Sequence, residues 1–272
     1  VQWDGTPTPL SCSIVALVLA MLFVPAYPGA PYDLRGNGEM FSLNGPAWSL
    51  FFEYIGNILY ALFIRRLSTR ALAFVAAALG VLHAWFFVGN VSGYDSVGVG
   101  WTIDAVNFWG GLVRMLFPFT MGMLVARTFS PRRTKGAFWI CSAILLAVFA
   151  VPYISSSGTP SLNSLYEVVC IVLIFPVVVW LGASGRGEGV SGRINSFLGE
   201  LSYPLYIVHY PIMYLFYAWL IENHYYTLGQ TLGVVALVVG SSILLAYASL
   251  KLYDKPVRRW LAEKFVGAGK RV

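Results

Sequence analysis

The sequence predicts an all-α fold, a polytopic membrane bundle with about eight transmembrane helices. Of its 272 residues, 58% are hydrophobic and only 11% are charged, whereas a soluble domain carries about 25% charged residues. Long apolar stretches recur along the chain, and a bilayer core of about 30 Å needs roughly 20 apolar residues per helical crossing. The candidate spans are 10–27, 48–64, 71–90, 106–126, 137–154, 164–183, 200–221 and 229–250.

The basic residues give this bundle an orientation. All of the 18 Lys and Arg residues except Arg35 and Arg114 lie in alternate gaps between the spans and in the C-terminal tail. Lys and Arg are retained on the cytoplasmic side during insertion, so we expect loops 65–70, 127–136 and 184–198 and the C-terminus to be cytoplasmic. The net charge of +6 lies in these short segments, which favours anionic membrane lipids over nucleic acid as partners.

Neither the cysteines nor the loops indicate an additional module. Cys12, Cys141 and Cys170 lie in or near apolar spans without metal-ligand spacing. We interpret them as small buried hydrophobes and expect neither a disulfide nor a metal site. The glycine-rich stretch 185–192 is predicted to be a flexible cytoplasmic linker inside a single domain. The first span, 10–27, is the weakest of the eight because it is short and ends near Pro25.

Glu53 is the first candidate for catalysis. Ionisable groups at membrane depth are costly unless they are paired or hydrated, which makes each of them a functional candidate. On a helix, Ser49, Glu53, Asn57 and Tyr60 form one polar stripe. A carboxyl in this position could accept or donate a proton. The alternative is a structural role, as a partner of Arg114 or as a backbone cap.

His209 is the second candidate. It shares a helix face with Ser202 and Tyr206, near the middle of its span. Pro204 and Pro211 should distort this helix, which favours a helix that borders a cavity. A histidine there lines a polar passage or transfers protons, and the alternative is a satisfied packing residue.

Arg114, His83 and the tryptophans complete the set of notable residues. Arg114 keeps its charge and must pair with a carboxylate or bind an anionic ligand group. His83 is interpreted as interfacial or packing. Tryptophans near span ends, such as Trp48 and Trp101, are typical of the aromatic belt, although sugar-binding sites use such rings as well.

Two segments carry a resemblance to a known family. They are 44–53 (NGPAWSLFFE), followed by Asn57 and Tyr60, and 198–209 (LGELSYPLYIVH), with weaker similarity at 114–122 and 253–258. In this order they resemble the membrane acyltransferase-3 family, whose members O-acylate bacterial polysaccharides and other extracytoplasmic acceptors. The asparagine before the tryptophan resembles the subgroup of nodulation-factor and exopolysaccharide acetyltransferases.

The resemblance implies a reaction and a set of site residues. An acyl group, most simply acetyl, would pass from acyl-CoA, a co-substrate rather than a bound cofactor, to a sugar hydroxyl of a polysaccharide or glycolipid. The enzyme would lie in the bacterial inner membrane. Glu53 and His209 would be the catalytic candidates in this chain. The substrate-binding candidates would be Trp48, Ser49, Asn57, Arg114, Ser202 and Tyr206.

One departure from the family pattern affects the expected activity. The family's catalytic histidine lies on its first membrane helix, and an arginine-rich cytoplasmic motif follows it. Neither has a counterpart in this chain. We therefore expect an acyltransferase-like domain over 1–272 that lacks N-terminal helices and is inactive by itself. A multi-pass transporter, a lipid-linked sugar translocase and a non-catalytic scaffold remain as alternatives.

Overall fold

The computed structural model describes residues 7–130, 134–154, 160–185, 189–223 and 226–266. The chain is 74% helical. The described residues form no β-strand and contain only two isolated bridges, Glu39 with Thr102 and Thr134 with Gly185. The predicted all-α fold class is confirmed.

The helices follow the apolar stretches closely. The α-helices are α1 (Leu10–Met21), α2 (Ala47–Leu62), α3 (Thr69–Val88), α4 (Ala105–Thr128), α5 (Ala137–Phe149), α6 (Leu162–Val169), α7 (Phe175–Ala183), α8 (Gly189–Glu222), α9 (Leu228–Ser249) and α10 (Lys255–Leu261). A 3₁₀ turn, Ile64–Arg66, follows α2. α8 begins inside the predicted linker 185–192, of which residues 186–188 lie outside the described part of the chain.

Five helical segments within the described residues are long and apolar enough to cross a membrane. They are Thr69–Val88, Ala105–Thr128, Leu162–Ala183, Gly192–Glu222 and Leu228–Phe265. The predicted count of eight is not confirmed, because α1, α2 and α5 have only 12, 16 and 13 residues. At 1.5 Å per residue such helices are about 18–24 Å long, which is short of a bilayer core of about 30 Å.

Polar side chains set the first turns of four helices. An N-cap oxygen accepts a hydrogen bond from a backbone N–H that has no partner within the helix. The N-caps are Ser68 for α3, Asp104 for α4, Ser161 for α6 and Thr227 for α9. Thr227 also forms a reciprocal capping box with Gln230.

Two π-helical turns let long helices continue past a proline. Cys170–Ile174 joins α6 to α7 just before Pro176, and Leu250–Asp254 joins α9 to α10 just before Pro256. Proline lacks an N–H and its ring would clash with the carbonyl four residues earlier. The wider turn moves that carbonyl away, so the helix axis continues.

The chain forms two compact units, unit 1 (Val1–Arg186) and unit 2 (Gly187–Val272). Unit 1 contains α1–α7 and two hydrophobic clusters. Met40, Phe41, Ala47 and Phe52 form one, and Phe86, Phe87, Val99, Val113 and Val168 form the other. The single domain over 1–272 stays a prediction.

Unit 1 has a basic end where the loops after α2, α4 and α7 lie. The Arg127 guanidinium donates hydrogen bonds to the backbone carbonyls of Leu67, at 2.6 Å, and Ile64, at 3.5 Å. The backbone N–H of Thr134 donates to the Ser184 carbonyl at 3.0 Å. These bonds connect the three loops that the positive charges predicted to lie on the same side of the membrane.

The opposite end of unit 1, called here the loop end, holds the described segments 22–46, 89–104, 150–154 and 160–161. Glu167 stabilises this end. Its carboxylate accepts hydrogen bonds from the backbone N–H of Val97 at 2.6 Å and from the Asn163 side-chain amide at 3.0 Å. Asn163 also donates to the Asp95 carbonyl at 3.0 Å. The charge of Glu167 is therefore used to position a loop.

Unit 2 is an antiparallel hairpin of α8 and α9, extended by α10. A salt bridge of 2.7 Å between Lys255 and Glu200 joins the N-terminal half of α8 to the start of α10. Ser242, Ala246 and Leu250 are buried along the seam. Most other described side chains of α9 are exposed, as expected for two helices that face no third one within their unit.

Candidate active site

The start of α2 is built from the segment 44–49. Backbone N–H groups of Ala47, Trp48 and Ser49 donate to the carbonyls three residues earlier. The Ser49 hydroxyl also donates to the Pro46 carbonyl at 3.0 Å. The tight first turn fixes the direction in which the Trp48 indole leaves the helix.

Trp48 and Arg114, two of the predicted substrate-binding residues, contact each other. The guanidinium carbon of Arg114 lies 4.8 Å from the centroid of the Trp48 ring. This is the geometry of a cation–π interaction. Arg114 also donates to the backbone carbonyl of Val99 at 3.2 Å. A side chain of α4 thereby connects the start of α2 to the loop before α4.

Two glycines allow the close packing around this contact. A Cβ on Gly100 would lie 2.7 Å from the Trp48 ring, and one on Gly111 would lie 2.5 Å from the Phe52 ring. Gly100 also has a φ of +111°, which favours glycine. The Asn107 side chain accepts the Gly100 N–H at 3.0 Å. Gly100, Gly111 and Asn107 were not predicted from their side-chain chemistry. The adjacent glycines 110 and 111 are nevertheless a feature of the sequence that could have indicated close packing here.

Glu53 lies on the exposed face of α2. Asn57 and Tyr60 are exposed beside it, whereas Phe52 and Gly56 are buried on the other face, so the predicted polar stripe is present. The Asn57 amide donates to the Glu53 backbone carbonyl at 2.9 Å. Within the described part of the chain, no hydrogen-bond or ion-pair partner of the Glu53 carboxylate is observed. The suggested structural roles, an Arg114 ion pair and a backbone cap, are not observed.

In unit 2, His209 bonds to its own helix. Its Nδ1 lies 3.0 Å from the backbone carbonyl oxygens of both Leu205 and Tyr206. Since a carbonyl only accepts hydrogen bonds, Nδ1 must carry the proton. In the neutral ring the lone pair is then on Nε2, which can accept a proton.

The neighbours of His209 are aromatic. Its ring centroid lies 6.1 Å from that of Tyr206 and 5.3 Å from that of Tyr210, and Tyr214 continues the row. The Ser202 hydroxyl donates to the Gly199 carbonyl at 2.8 Å. Tyr206 and His209 thus lie together as predicted, while Ser202 lies further toward the start of the helix and turns onto its own backbone.

His83 has a packing position. It is completely buried, its ring lies 4.7 Å from Phe87 and 5.8 Å from Phe117, and its Nδ1 is 3.5 Å from the Val113 carbonyl. This agrees with the packing interpretation. Among the described residues there is no group of three or more His, Cys, Asp or Glu side chains that could hold a metal ion.

Comparison with known families decides the class of the protein. A family model of an acyltransferase domain matches residues 6–248. The chain belongs to the acyltransferase-3 family. The resemblance carried by the two sequence segments is confirmed. The family match and the apolar helices together make the chain an integral membrane protein of an acyltransferase family. Comparisons with curated proteins and with solved structures found no significant match.

The family match covers all the predicted site residues. It does not test their individual roles, which stay predictions. It also leaves untested the expectation that helices precede this sequence and that the chain by itself is inactive.

Proposed function

We propose that this family member moves an acyl group, most simply acetyl, from acyl-CoA to a sugar hydroxyl of a polysaccharide or glycolipid outside the cytoplasm. The family match over residues 6–248 carries this proposal. By the charge pattern of the sequence, the basic loops 65–70, 127–136 and 184–198 and the C-terminus face the cytoplasm of a bacterium, where acyl-CoA is found. The loop end of unit 1 faces the acceptor.

The reaction is an acyl transfer with one proton to move. The sugar hydroxyl oxygen attacks the carbonyl carbon of the thioester, a C–O bond forms, and the C–S bond to coenzyme A breaks. The hydroxyl proton passes to a base and from there to the departing thiolate. A hydroxyl is a weak nucleophile at neutral pH, so a positioned base is worth about 10²–10⁴-fold in rate.

His209 is the group in this chain whose geometry best supports proton transfer. Its Nδ1 proton is held by two carbonyl oxygens at 3.0 Å, so the neutral ring keeps Nε2 as the acceptor. The neighbouring Tyr206, like Ser202 a substrate-binding candidate, would line the approach to it. A histidine on a preceding helix, as the family resemblance implies, would share or take over this task.

The residues of α2 and α4 would bind and orient the reactants. Arg114 has a permanent positive charge and is held over the Trp48 ring. It would counter a carboxylate or the developing oxyanion, a type of stabilisation that is often the largest in such reactions. Trp48 would shape the acceptor pocket. Glu53, with Ser49 and Asn57 on the same stripe, would orient the hydroxyl or the base.

Glu53→Gln in the full-length protein tests the proposal, because glutamine keeps the size and removes the charge. Membranes that contain the protein are incubated with radiolabelled acetyl-CoA and the cell's own surface polysaccharide. We expect transfer to fall below about 1% of wild type, with normal insertion and expression. Glu222→Gln, at the exposed end of α8, is the matched control. Transfer by Glu53→Gln within a few-fold of wild type contradicts the role of Glu53, and no transfer by wild type contradicts the function.

A further inference from the structure

A cleft of about 530 Å³ lies at the loop end of unit 1, and its lining does not include the residues of the Glu53 stripe. Two segments that belong to different loops line it. Asp33 and Asn37 come from the segment before α2, and Tyr94, Trp101 and Asp104 come from the segment before α4. Its size suits one or two sugar rings, since small-molecule sites typically measure about 300–1,000 Å³.

Asp33 is an unusual residue in the wall of this cleft. It is only 3% exposed, and its Oδ2 accepts the N–H groups of Gly38 at 2.8 Å and Gly29 at 3.5 Å. Its Oδ1 is also buried, yet no hydrogen-bond partner exists for it among the described residues. A buried acceptor without a donor is destabilising. Because Oδ1 is itself inaccessible, Asp33 contributes its negative charge beneath the cleft surface and not a direct contact with a ligand.

The two walls of the cleft are joined by backbone contacts. The N–H of Met40 donates to the Trp101 carbonyl at 2.8 Å, and Glu39 forms a bridge with Thr102. Asp104 is oriented by the Asn107 backbone N–H at 2.8 Å and by its side-chain amide at 2.7 Å. The cleft is therefore largely preformed.

The lining combines the two chemistries that recognise a carbohydrate. The half-buried Trp101 and Tyr94, which is 45% exposed, offer apolar ring faces for the C–H surface of a pyranose. The exposed carboxylate of Asp104 can accept hydrogen bonds from hydroxyl or ammonium groups, and the buried Asp33 adds a second negative charge. Since Asp33 and Asp104 are the only charged residues among the described lining, an anionic sugar would be repelled.

We propose that this cleft binds a neutral or amino-sugar unit of the carbohydrate acceptor and so delivers the acceptor chain to the transferase. The inference rests on the proposed function for the identity of the ligand as an acceptor. The binding itself depends only on the cleft.

Binding without any acyl donor tests the proposal. Purified full-length protein in detergent is titrated calorimetrically with maltotetraose, chitosan tetrasaccharide and tetragalacturonate, which are neutral, cationic and anionic. We expect maltotetraose or the chitosan tetramer to bind at least about tenfold more tightly than tetragalacturonate, a difference of about 1.4 kcal/mol. Tyr94→Ala and Asp104→Asn should each weaken that binding by about tenfold or more.

Two matched variants serve as controls. Tyr27→Ala removes an aromatic ring that is 65% exposed near the cleft but outside its lining. Asp95→Asn changes a carboxylate in the same loop as Tyr94 that already has a partner in Asn90. Both should bind like wild type. Tyr94 and Asp104 are exposed, and asparagine can cap α4 as aspartate does, so both replacements should leave folding intact.

Three results would overturn the proposal. They are a preference for tetragalacturonate, wild-type binding by Tyr94→Ala, and the absence of binding by all three oligosaccharides. The titration contains no acetyl-CoA, so it measures binding independently of transfer. If the protein binds the saccharide but shows no transferase activity in the separate assay, the proposed function is wrong and the proposed binding by the cleft still holds. Active transferase with unchanged binding by Tyr94→Ala would reject only the cleft.

Discussion

In unit 1 the candidate residues Trp48 and Arg114 are held by contacts between different helices and loops, whereas in unit 2 the candidate residues Ser202 and His209 bond to their own helix. Arg114 reaches from α4 to the Trp48 ring and to the Val99 carbonyl. His209 instead bonds to carbonyls of its own helix. The geometry of the first pair therefore depends on packing between elements, and that of His209 depends on helix formation alone.

Burial and glycine packing show the same contrast. One third of the apolar window of α3 is buried, compared with 6% of that of α8. Cβ atoms on Gly100, Gly110 or Gly111 in unit 1 would come within 3 Å of a neighbour, whereas Gly240 of unit 2 has nothing within 4 Å. Unit 1 thus has a core of its own, and the hairpin of unit 2 leaves most of its side chains exposed.

The variant with the largest expected effect tests the role of His209, whose position depends only on its own helix. In His209→Asn the amide nitrogen keeps a donor near the Leu205 and Tyr206 carbonyls, but Nε2 is lost. If Nε2 accepts the proton, acetyl transfer by the full-length protein should fall by about 10²–10⁴-fold. The assay is the initial rate with radiolabelled acetyl-CoA.

A control separates catalysis from a lining role. Tyr203→Phe alters an exposed residue of the same helix and should leave the rate near that of wild type. A loss of less than tenfold in His209→Asn would mean that His209 only lines the passage, and that a base elsewhere removes the proton.

A smaller effect tests the contrast in packing. Gly111→Ala in unit 1 would place a Cβ 2.5 Å from Phe52 and 2.9 Å from the Gly100 backbone, so it should lower the free energy of unfolding by about 1–3 kcal/mol. Gly240→Ala lies inside α9 in open space and should raise it by about 0.5–1 kcal/mol. Unfolding by SDS in mixed micelles measures both. Equal effects of the two variants would contradict the contrast.

The mildest experiment changes neither activity nor stability and tests the sequence-based prediction that loop 127–136 and the C-terminal tail are both cytoplasmic. The native cysteines Cys12, Cys141 and Cys170 are first changed to serine. Four variants are then made, each with one cysteine, in place of Lys135, Lys264, Tyr153 or Tyr226. An impermeant maleimide should label the two tyrosine positions in intact cells, and the two lysine positions only after permeabilisation. Labelling of position 135 from outside would reverse the proposed orientation.

The helices themselves could be predicted because apolarity and helix boundaries are local properties. The predicted spans 71–90 and 106–126 correspond to α3 and α4 within two residues. The predicted count of eight crossings was not confirmed, because some helices end early, as α1 does just before Phe23, which adopts a φ of +59°. At α9 the prediction stopped at residue 250, because it did not foresee the π-helical turn that passes Pro256.

The sequence by itself determined the fold class, the family and the residues that share a helix face, since a stripe such as Glu53 and Asn57 follows from helical spacing alone. Only the tertiary structure decided which of these residues meet. The contact between Trp48 and Arg114 requires the left-handed backbone of Gly100. The cleft around Asp33 requires two loops far apart in sequence to pair through Met40 and Trp101. Such contacts depend on loop conformation and long-range packing, which no local pattern of residues encodes.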